Sequence, residues 1–200
     1  MMILRSSPLS PFGRKVKIAA SMIGVRDKIE VVFADTNDPN EILRQQNPLG
    51  KIPVLILEDG TALYDSRVIL EYLDWLGGGD VLIPADPKRR FQVLTQAARA
   101  DGLTDAALLL VYENRYREPE HRVAKWTDHQ HAKVDRALTA CAATPPAGKR
   151  DVAHIGLACA LGYLDFRFEG RWRETHKDLV AWLAAFEADV PAFAETRPDA

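Results

Sequence analysis

The residues best suited to chemistry lie around the two prolines of the stretch 47–54. Pro53 directly precedes the apolar run 54–57, and proline is tolerated at the first residue of a buried strand but not inside one. A cis Ile52–Pro53 bond would turn the backbone N–H and C=O of Ile52 outward, where they can pair with an extended, peptide-like ligand. On the spacing alone, a rigid loop without a ligand is equally open, since most X-Pro bonds are trans.

Two other stretches place polar side chains at the predicted starts of helices. Ser10 follows a turn-rich segment and precedes Pro11, a pair typical of an N-cap and the first helical position. Asp65 and Ser66 follow a short predicted strand and open a segment with helical apolar spacing. From the pattern alone, Ser10 and Asp65 are fully explained as helix caps.

The elements that position these residues form one predicted α/β layer up to about residue 76. Asp59-Gly60 closes a hairpin, and a helix between the first two strands makes them parallel. Residues 39–46 are either one short helix or a mobile loop. We predict strands at 2–5, 29–33, 54–57 and 61–63, and helices at 11–23 and 66–76, the latter with an apolar stripe of Val68, Ile69, Tyr72, Leu73 and Leu76.

The glycine and proline residues between 77 and 87 break the periodicity more completely than any other segment. We therefore predict domains at 1–79 and 87–200, joined by a linker at 80–86. The second domain is predicted to be all helical, with a long helix from 87 that bends at Gly102 or continues through it. Further helices are expected from 118 to 145, from 151 and over 177–188, and the one from 151 is apolar nearly all round and hence central.

Composition excludes several classes of function. Lys and Arg number 26 against 28 Asp and Glu without a basic block, which argues against a nucleic-acid surface. No apolar run is long enough to span a bilayer and the N-terminus does not resemble a secretory signal, so we expect a cytoplasmic protein. Cys141 and Cys159 are expected to be buried structural thiols, and the five scattered histidines predict no metal site.

Taken together, these motifs resemble the glutathione transferase family, and the resemblance covers essentially the whole chain. Residues 7–16 are similar to the first-helix motif of Ser-type bacterial members, 47–54 to the cis-proline loop, and Asp65-Ser66 to the γ-glutamyl-binding position. The implied fold is an α/β thioredoxin-like N-terminal domain followed by an all-α C-terminal helical bundle. The implied co-substrate is glutathione.

The resemblance places Ser10 where a hydroxyl donates a hydrogen bond to the glutathione sulfur. Ser6 and Ser7 are rivals, but both precede Pro8 and lie too far from the helix start. Phe12 is a candidate for the mouth of the glutathione pocket, although a first-turn core position explains it equally well.

The rest of glutathione is assigned by the same resemblance. The backbone of Ile52, with Pro53 cis, pairs with the cysteinyl part, while Asp65 and Ser66 take the ammonium and the carboxylate of the γ-glutamyl end. The family more often carries Glu or Gln at position 65, which leaves a direct ammonium contact in question. A second departure is the helix cap at Asp151, where His154 replaces the usual acidic partner, so that the reciprocal carboxylate is expected to be lost.

The same resemblance implies conjugation of the glutathione thiolate to an apolar, electrophilic small molecule, a detoxification chemistry, by a homodimer. Tyr112, Tyr116 and Trp172 are candidates for the wall of the second-substrate pocket, and core packing explains them as well. Asp101 and Asp105 share a helix face, for which exposure to solvent is the simpler interpretation. Two alternatives stay open: a glutathione-dependent peroxidase or isomerase, and a binding module without turnover.

Overall fold

The computed structural model describes residues 1–198, and its first part is built on a four-stranded sheet in the order β2-β1-β3-β4. The central strand β1 is parallel to β2 and antiparallel to β3, and β3 continues antiparallel into β4. This is the predicted topology of two parallel strands extended by a hairpin. The strands are β1 (Met2–Ser6), β2 (Ile29–Phe33), β3 (Val54–Ile56) and β4 (Ala62–Leu63).

Three helices accompany the sheet: α1 (Pro11–Met22), α2 (Leu43–Gln46) and α3 (Ser66–Leu76). Helix α1 ends where Gly24 adopts a φ of 72°, which is typical of a glycine just past a helix end. Between α1 and β2 lies a 3-10 turn, Arg26–Lys28. Of the two predictions for residues 39–46, the short helix is closer, since α2 occupies the second half of that range.

The predicted apolar stripe of α3 is partly wrong. Val68 is 47% and Leu76 is 36% exposed, whereas Asp74 is only 6% exposed. One carboxylate oxygen of Asp74 accepts the backbone N–H groups of Val81, Leu82 and Ile83 at 3.0, 2.6 and 3.0 Å. A buried carboxylate is tolerated there because these donors replace its water shell, so α3 is anchored to the segment that follows it.

The later part of the chain is helical, with α4 (Pro87–Tyr116), α5 (Ala124–Ala143), α6 (Val152–Phe168), α7 (Trp172–Thr175), α8 (Lys177–Asp189) and α9 (Ala192–Glu195). Helix α4 continues through Gly102. Helix α5 begins six residues after the predicted start at 118, because Pro119–His121 forms a separate 3-10 turn. The short helices α7 and α9 were not predicted.

Helix α6 is central, as its all-round apolar pattern predicts: every residue from 152 to 164 is buried. A Cβ added at Gly156 would lie 3.3 Å from the Cβ of Ala100, so α6 and α4 approach each other closely at this point. The cap of α6 lacks a reciprocal carboxylate, as expected, but keeps a reciprocal bond. The acidic partner is absent, yet the reciprocal bond survives, because His154 Nδ1 lies 3.3 Å from the Asp151 backbone nitrogen.

The chain forms two compact units, Met1–Arg90 together with the segment from Val190 onward, and Phe91–Asp189. The boundaries of these units differ from those of the predicted domains at 1–79 and 87–200. The predicted domains stay a prediction. Residues 199 and 200 lie outside the described part. The fold class is confirmed: a mixed thioredoxin-like sheet domain is followed by a mostly helical region. Among the described residues, no helix has both the length and the apolar character required to cross a membrane.

Candidate functional site

Two of the candidate segments meet at one end of the sheet because β1 and β3 are antiparallel. Arg5, near the end of β1, lies opposite Val54, the first residue of β3. The chain that leaves β1 toward Ser10 therefore starts beside the chain that enters β3 from Ile52. The pairing thus brings a helix cap and a proline turn, which are far apart in sequence, to the same edge.

The third candidate segment, Asp65 and Ser66, reaches the same end of the sheet through the hairpin of β3 and β4. In the antiparallel pair of β3 and β4, Leu55 lies opposite Leu63. Continued by two residues, this register brings Asp65, the cap of α3, to the level of Pro53. The sheet therefore gathers all three predicted segments at one end, and the positive N-terminal ends of α1 and α3 are found there as well.

Ser10 is the N-cap of α1, as predicted. Its backbone is extended, with φ −81° and ψ 116°, and its Oγ accepts the backbone N–H of Gly13 at 3.0 Å. A hydroxyl that accepts a hydrogen bond can still donate its own hydrogen, and within residues 1–198 the Ser10 hydroxyl has no acceptor. Half-buried at the helix start, Ser10 can therefore donate to an anion placed above α1.

The two rival serines are engaged differently. Ser6 is only 1% exposed, at the end of β1. Ser7 Oγ accepts the backbone N–H of Leu9 at 3.3 Å within the turn. These positions favour Ser10 as the donor, although its role toward a sulfur atom stays a prediction.

Gly13 is a site-supporting residue that sequence reasoning missed. A Cβ at this position would lie 2.0 Å from Ser6 Oγ, far inside contact distance. Glycine therefore lets the first turn of α1 rest directly on the end of β1, and this contact fixes the N–H group that Ser10 accepts. A glycine one turn into a predicted helix, opposite a small polar residue at a strand end, is the signal that points to such close packing.

Arg14 is the second missed residue, and it ties the start of α1 to the C-terminal segment. Its side chain is only 4% exposed, and Nη2 donates to the Phe193 carbonyl oxygen at 2.5 Å. The guanidinium also lies 3.9 Å from the centroid of the Phe193 ring, and Nε donates to Thr196 Oγ1 at 3.3 Å. Phe12, the predicted mouth residue, is half-buried, with the Lys15 ammonium 5.4 Å from its ring centroid.

Asn47 shapes the turn before Pro53. It is 2% exposed, and its side chain closes the turn from both sides: Nδ2 donates to the Lys51 carbonyl at 2.9 Å and Oδ1 accepts the Leu49 N–H at 3.0 Å. The Ile52–Pro53 bond that follows is cis, which confirms the predicted geometry. Within the described chain, neither the N–H nor the C=O of Ile52 forms a hydrogen bond, so both are available to a ligand.

Asp65 and Ser66 begin α3 as predicted. Asp65 is exposed, and one of its carboxylate oxygens accepts the Arg67 N–H at 2.9 Å, which leaves the other oxygen to solvent or a ligand. Ser66 is 3% exposed at the first helical position. The Tyr64–Asp65 bond is cis as well. These positions suit the recognition of an amino acid head group, but the assignment itself stays a prediction.

The candidates for the second substrate lie in the helical unit. Tyr112 and Tyr116, near the end of α4, form an edge-to-face pair with ring centroids 5.4 Å apart. Burial raises the pKa of the Tyr112 hydroxyl, and Tyr116 adds to this while Arg115 opposes it. Trp172 is different: it is 5% exposed and its indole N–H donates to Asp165 at 2.8 Å, as expected of a packing residue.

The interpretation of the acidic pair on α4 was half wrong. Asp105 is exposed as expected, but Asp101 is only 3% exposed. In the part of the chain that the structure describes, no three His, Cys, Asp or Glu side chains converge in a way that would hold a metal ion.

Comparison with known proteins agrees with this geometry. The family model "Glutathione S-transferase, N-terminal domain" matches residues 9–76, which include all three segments at the end of the sheet. An uncharacterised GST-like protein of Escherichia coli K12, YibF, is 33% identical over 175 residues, covering 83% of this chain and 83% of its own.

Two solved structures extend the similarity over the full length. A glutathione transferase family member from Pseudomonas fluorescens Pf-5, with bound glutathione, is 40% identical, with a TM-score of 0.93 and complete coverage of both chains. A glutathione S-transferase from Methylobacillus flagellatus KT, also with glutathione bound, is 35% identical, with a TM-score of 0.91 over both full chains. With this identity and coverage, the chain belongs to the glutathione transferase family.

Proposed function

We propose that this protein binds glutathione at the end of its sheet and transfers the glutathione thiolate to an electrophilic small molecule. The observation that carries the proposal is the register of the sheet, which directs the segments holding Ser10, Ile52 and Ser66 to one sheet end. Each of these residues has a polar group suited to a different part of a peptide. The related structures that hold bound glutathione support the choice of ligand.

Each part of glutathione has a chemical counterpart in this arrangement. The backbone of Ile52 pairs with the cysteinyl unit as an added strand would. The Ser66 hydroxyl and the first N–H groups of α3 take the γ-glutamyl carboxylate, because a helix N-terminus favours an anion. The second oxygen of Asp65 is suited to the γ-glutamyl ammonium.

The catalytic contribution of Ser10 is to favour the thiolate. A free thiol has a pKa of about 8.5, so only a few per cent is the nucleophilic thiolate at neutral pH. The Ser10 hydroxyl and the N-terminus of α1 each stabilise the anion by about 1 kcal/mol. Since one pKa unit corresponds to about 1.4 kcal/mol, the two effects together lower the thiol pKa by roughly one to two units.

In the reaction itself, the protein supplies orientation and charge stabilisation. The thiol proton passes to water when the thiolate forms. The sulfur then donates its electron pair to the electrophilic carbon, a carbon–sulfur bond forms, and the leaving group departs with the electron pair of the bond that breaks. Retaining Ser10 rather than a cysteine at this position disfavours disulfide reduction as the main activity.

Turnover with glutathione and a panel of aryl halides, epoxides and hydroperoxides tests the proposal. We expect conjugation by the native protein and a loss of about tenfold or more in Ser10→Ala, equivalent to about 1.4 kcal/mol of transition-state stabilisation. Ser7→Ala is the matched control, because it removes a neighbouring hydroxyl that serves only the turn at Leu9. Equal rates in Ser10→Ala and the native protein would contradict the role of Ser10.

The assembly and the location belong to the same proposal. We expect a homodimer, since Val68 and Trp75 on α3 are 47% and 69% exposed and a second copy would cover them. Sedimentation of the native protein and of Trp75→Glu measures this. A cytoplasmic location is consistent with Cys141, which is a buried free thiol rather than half of a disulfide.

A further inference from the structure

Several arginines of the helical unit have no carboxylate partner in the described part of the chain, and two of them lie beside aromatic rings. Arg115 near the end of α4 and Arg167 near the end of α6 have no acidic partner within residues 1–198. Other arginines of the same unit do: Arg150 pairs with Asp189 and Arg173 with Asp165. Arg115 and Arg167 therefore present positive charge that the described chain does not neutralise.

An aromatic ring lies beside each of these two guanidinium groups. Arg115 lies 5.7 Å from the centroid of the Tyr112 ring, which is itself paired edge-to-face with Tyr116. Arg167 lies 4.4 Å from the centroid of the Phe166 ring, and its Nε is buried without a hydrogen-bond partner. An unsatisfied buried donor beside aromatic rings is costly unless a ligand or water completes it.

Tyr163 is a buried residue of α6 whose hydroxyl is influenced by side chains of both α4 and α6. It is 5% exposed and stands one helical turn before Arg167 on α6. Burial raises the pKa of the Tyr163 hydroxyl, and the charge and hydrogen bond of Arg167 oppose this. Tyr112 raises that pKa further and Arg115 lowers it, as expected if side chains from α4 and α6 face one another.

A simpler explanation covers part of this cluster. Both arginines lie in the last turn of their helices, where a cation stabilises the free carbonyl groups by about 0.3–1 kcal/mol. That effect explains the two charges, but it requires neither the buried Tyr163 nor the unpaired Nε of Arg167. The arrangement of rings around guanidinium groups is suited to a ligand that is both flat and negatively charged.

We propose that Tyr112, Arg115, Tyr116, Tyr163 and Arg167 form a binding site for aromatic carboxylic acids. The guanidinium groups bind the carboxylate and the tyrosines bind the ring and supply hydroxyl donors. Because the guanidinium groups add a charge contact to the ring contacts, the site prefers an aromatic carboxylate to a neutral aromatic ligand of the same shape.

Direct binding tests the site without turnover. Calorimetric titration of the full-length protein with para-nitrobenzoate and with para-nitrobenzamide compares a charged ligand with its neutral isostere. We expect the benzoate to bind about tenfold more tightly, with Arg167→Gln and Arg115→Gln each removing most of that preference and leaving benzamide binding unchanged. The larger loss is expected for Arg167, because it is half-buried whereas Arg115 is exposed and screened by solvent.

Two further variants separate a binding role from a structural one. Arg136→Gln removes one positive charge from an exposed position on α5 and should leave both ligands unaffected. Arg167→Lys keeps the charge and should restore part of the benzoate preference. Equal binding of benzoate and benzamide by the native protein, or a preference that survives both glutamine substitutions, overturns the site.

Discussion

Helices α1 and α6 begin with the same local device but leave different groups available. At α1, Ser10 Oγ accepts one N–H at 3.0 Å and its hydroxyl hydrogen is uncommitted within the described chain. At α6, Asp151 Oδ1 accepts the N–H groups of Ala153 and His154 at 3.0 and 3.2 Å and lies 2.7 Å from His154 Nδ1.

The difference follows from burial and chemistry together. Asp151 is 4% exposed, and a buried carboxylate must have its acceptor positions filled by the protein itself. Ser10 is half-buried, and a hydroxyl keeps a donor after it has capped a helix. A cap can therefore serve a ligand only if its side chain has bonding capacity left over, which separates a functional cap from a purely structural one.

The largest effect we expect is on the stability of α6. Asp151→Ala removes the cap and leaves His154 and two buried N–H groups without their partner, so the free energy of unfolding should fall by about 3 kcal/mol. Urea denaturation measures this, with Asp151→Ser as a control that keeps a capping oxygen and should lose clearly less. A smaller loss for Asp151→Ala than for Ser10→Ala would reverse the distinction between the two caps.

The second largest effect is expected at Gly13, which supports the first turn of the helix that Ser10 caps. Gly13→Ala should cost about 2 kcal/mol of stability and weaken glutathione binding, because the new methyl group overlaps Ser6 Oγ. Adding Ser6→Ala should recover part of the loss, since the nearest remaining atom is then 3.3 Å away.

The control for Gly13 is another helical glycine. A Cβ at Gly102 on α4 meets nothing within 4 Å, so Gly102→Ala should stabilise the protein by about 0.5–1 kcal/mol. If Gly13→Ala behaves like Gly102→Ala, the contact between α1 and the end of β1 does not hold the cap in place.

The caps and the proline turn could be predicted from sequence because their signals are local. Ser10 with Pro11 fixes a helix start within a few residues, whatever the rest of the chain does. The contacts that support them could not be predicted in this way. Arg14 and Phe193 are 179 residues apart, and the periodicity of neither segment shows that they meet.

The cluster of Tyr112, Arg115, Tyr116, Tyr163 and Arg167 could likewise be predicted only in part from the sequence. Tyr112 and Tyr116 were recognised as candidates, but Arg115, Tyr163 and Arg167 were not. Their spacing held a signal: a tyrosine precedes an arginine by three residues on α4 and by four on α6, the distances that place side chains side by side on a helix. Only the packing of the two helices shows that these pairs belong together.

A smaller effect separates the two functions of Ser10. Glycine caps a helix nearly as well as serine, so Ser10→Gly should lose only a few tenths of a kcal/mol of stability. The hydroxyl donor is lost entirely, and the rate of conjugation should fall by about tenfold, as in Ser10→Ala. Unfolding and steady-state kinetics on the same samples measure both. If the conjugation rates of Ser10→Gly and Ser10→Ala fell only in proportion to their losses of stability, Ser10 would act as a helix cap alone.

Asp65 on α3 gives the smallest and sharpest comparison, because it is a cap with one carboxylate oxygen to spare. Asp65→Asn keeps the capping oxygen and removes the charge, so stability should be unchanged while glutathione affinity falls by a few-fold, about 0.5–1 kcal/mol for an exposed ion pair. Asp65→Ala should lower both by similar amounts. Glutathione titration of the two variants decides between the roles: if Asn binds glutathione as the native protein does, the shorter side chain at this position does not reach the ammonium, and Asp65 serves α3 alone.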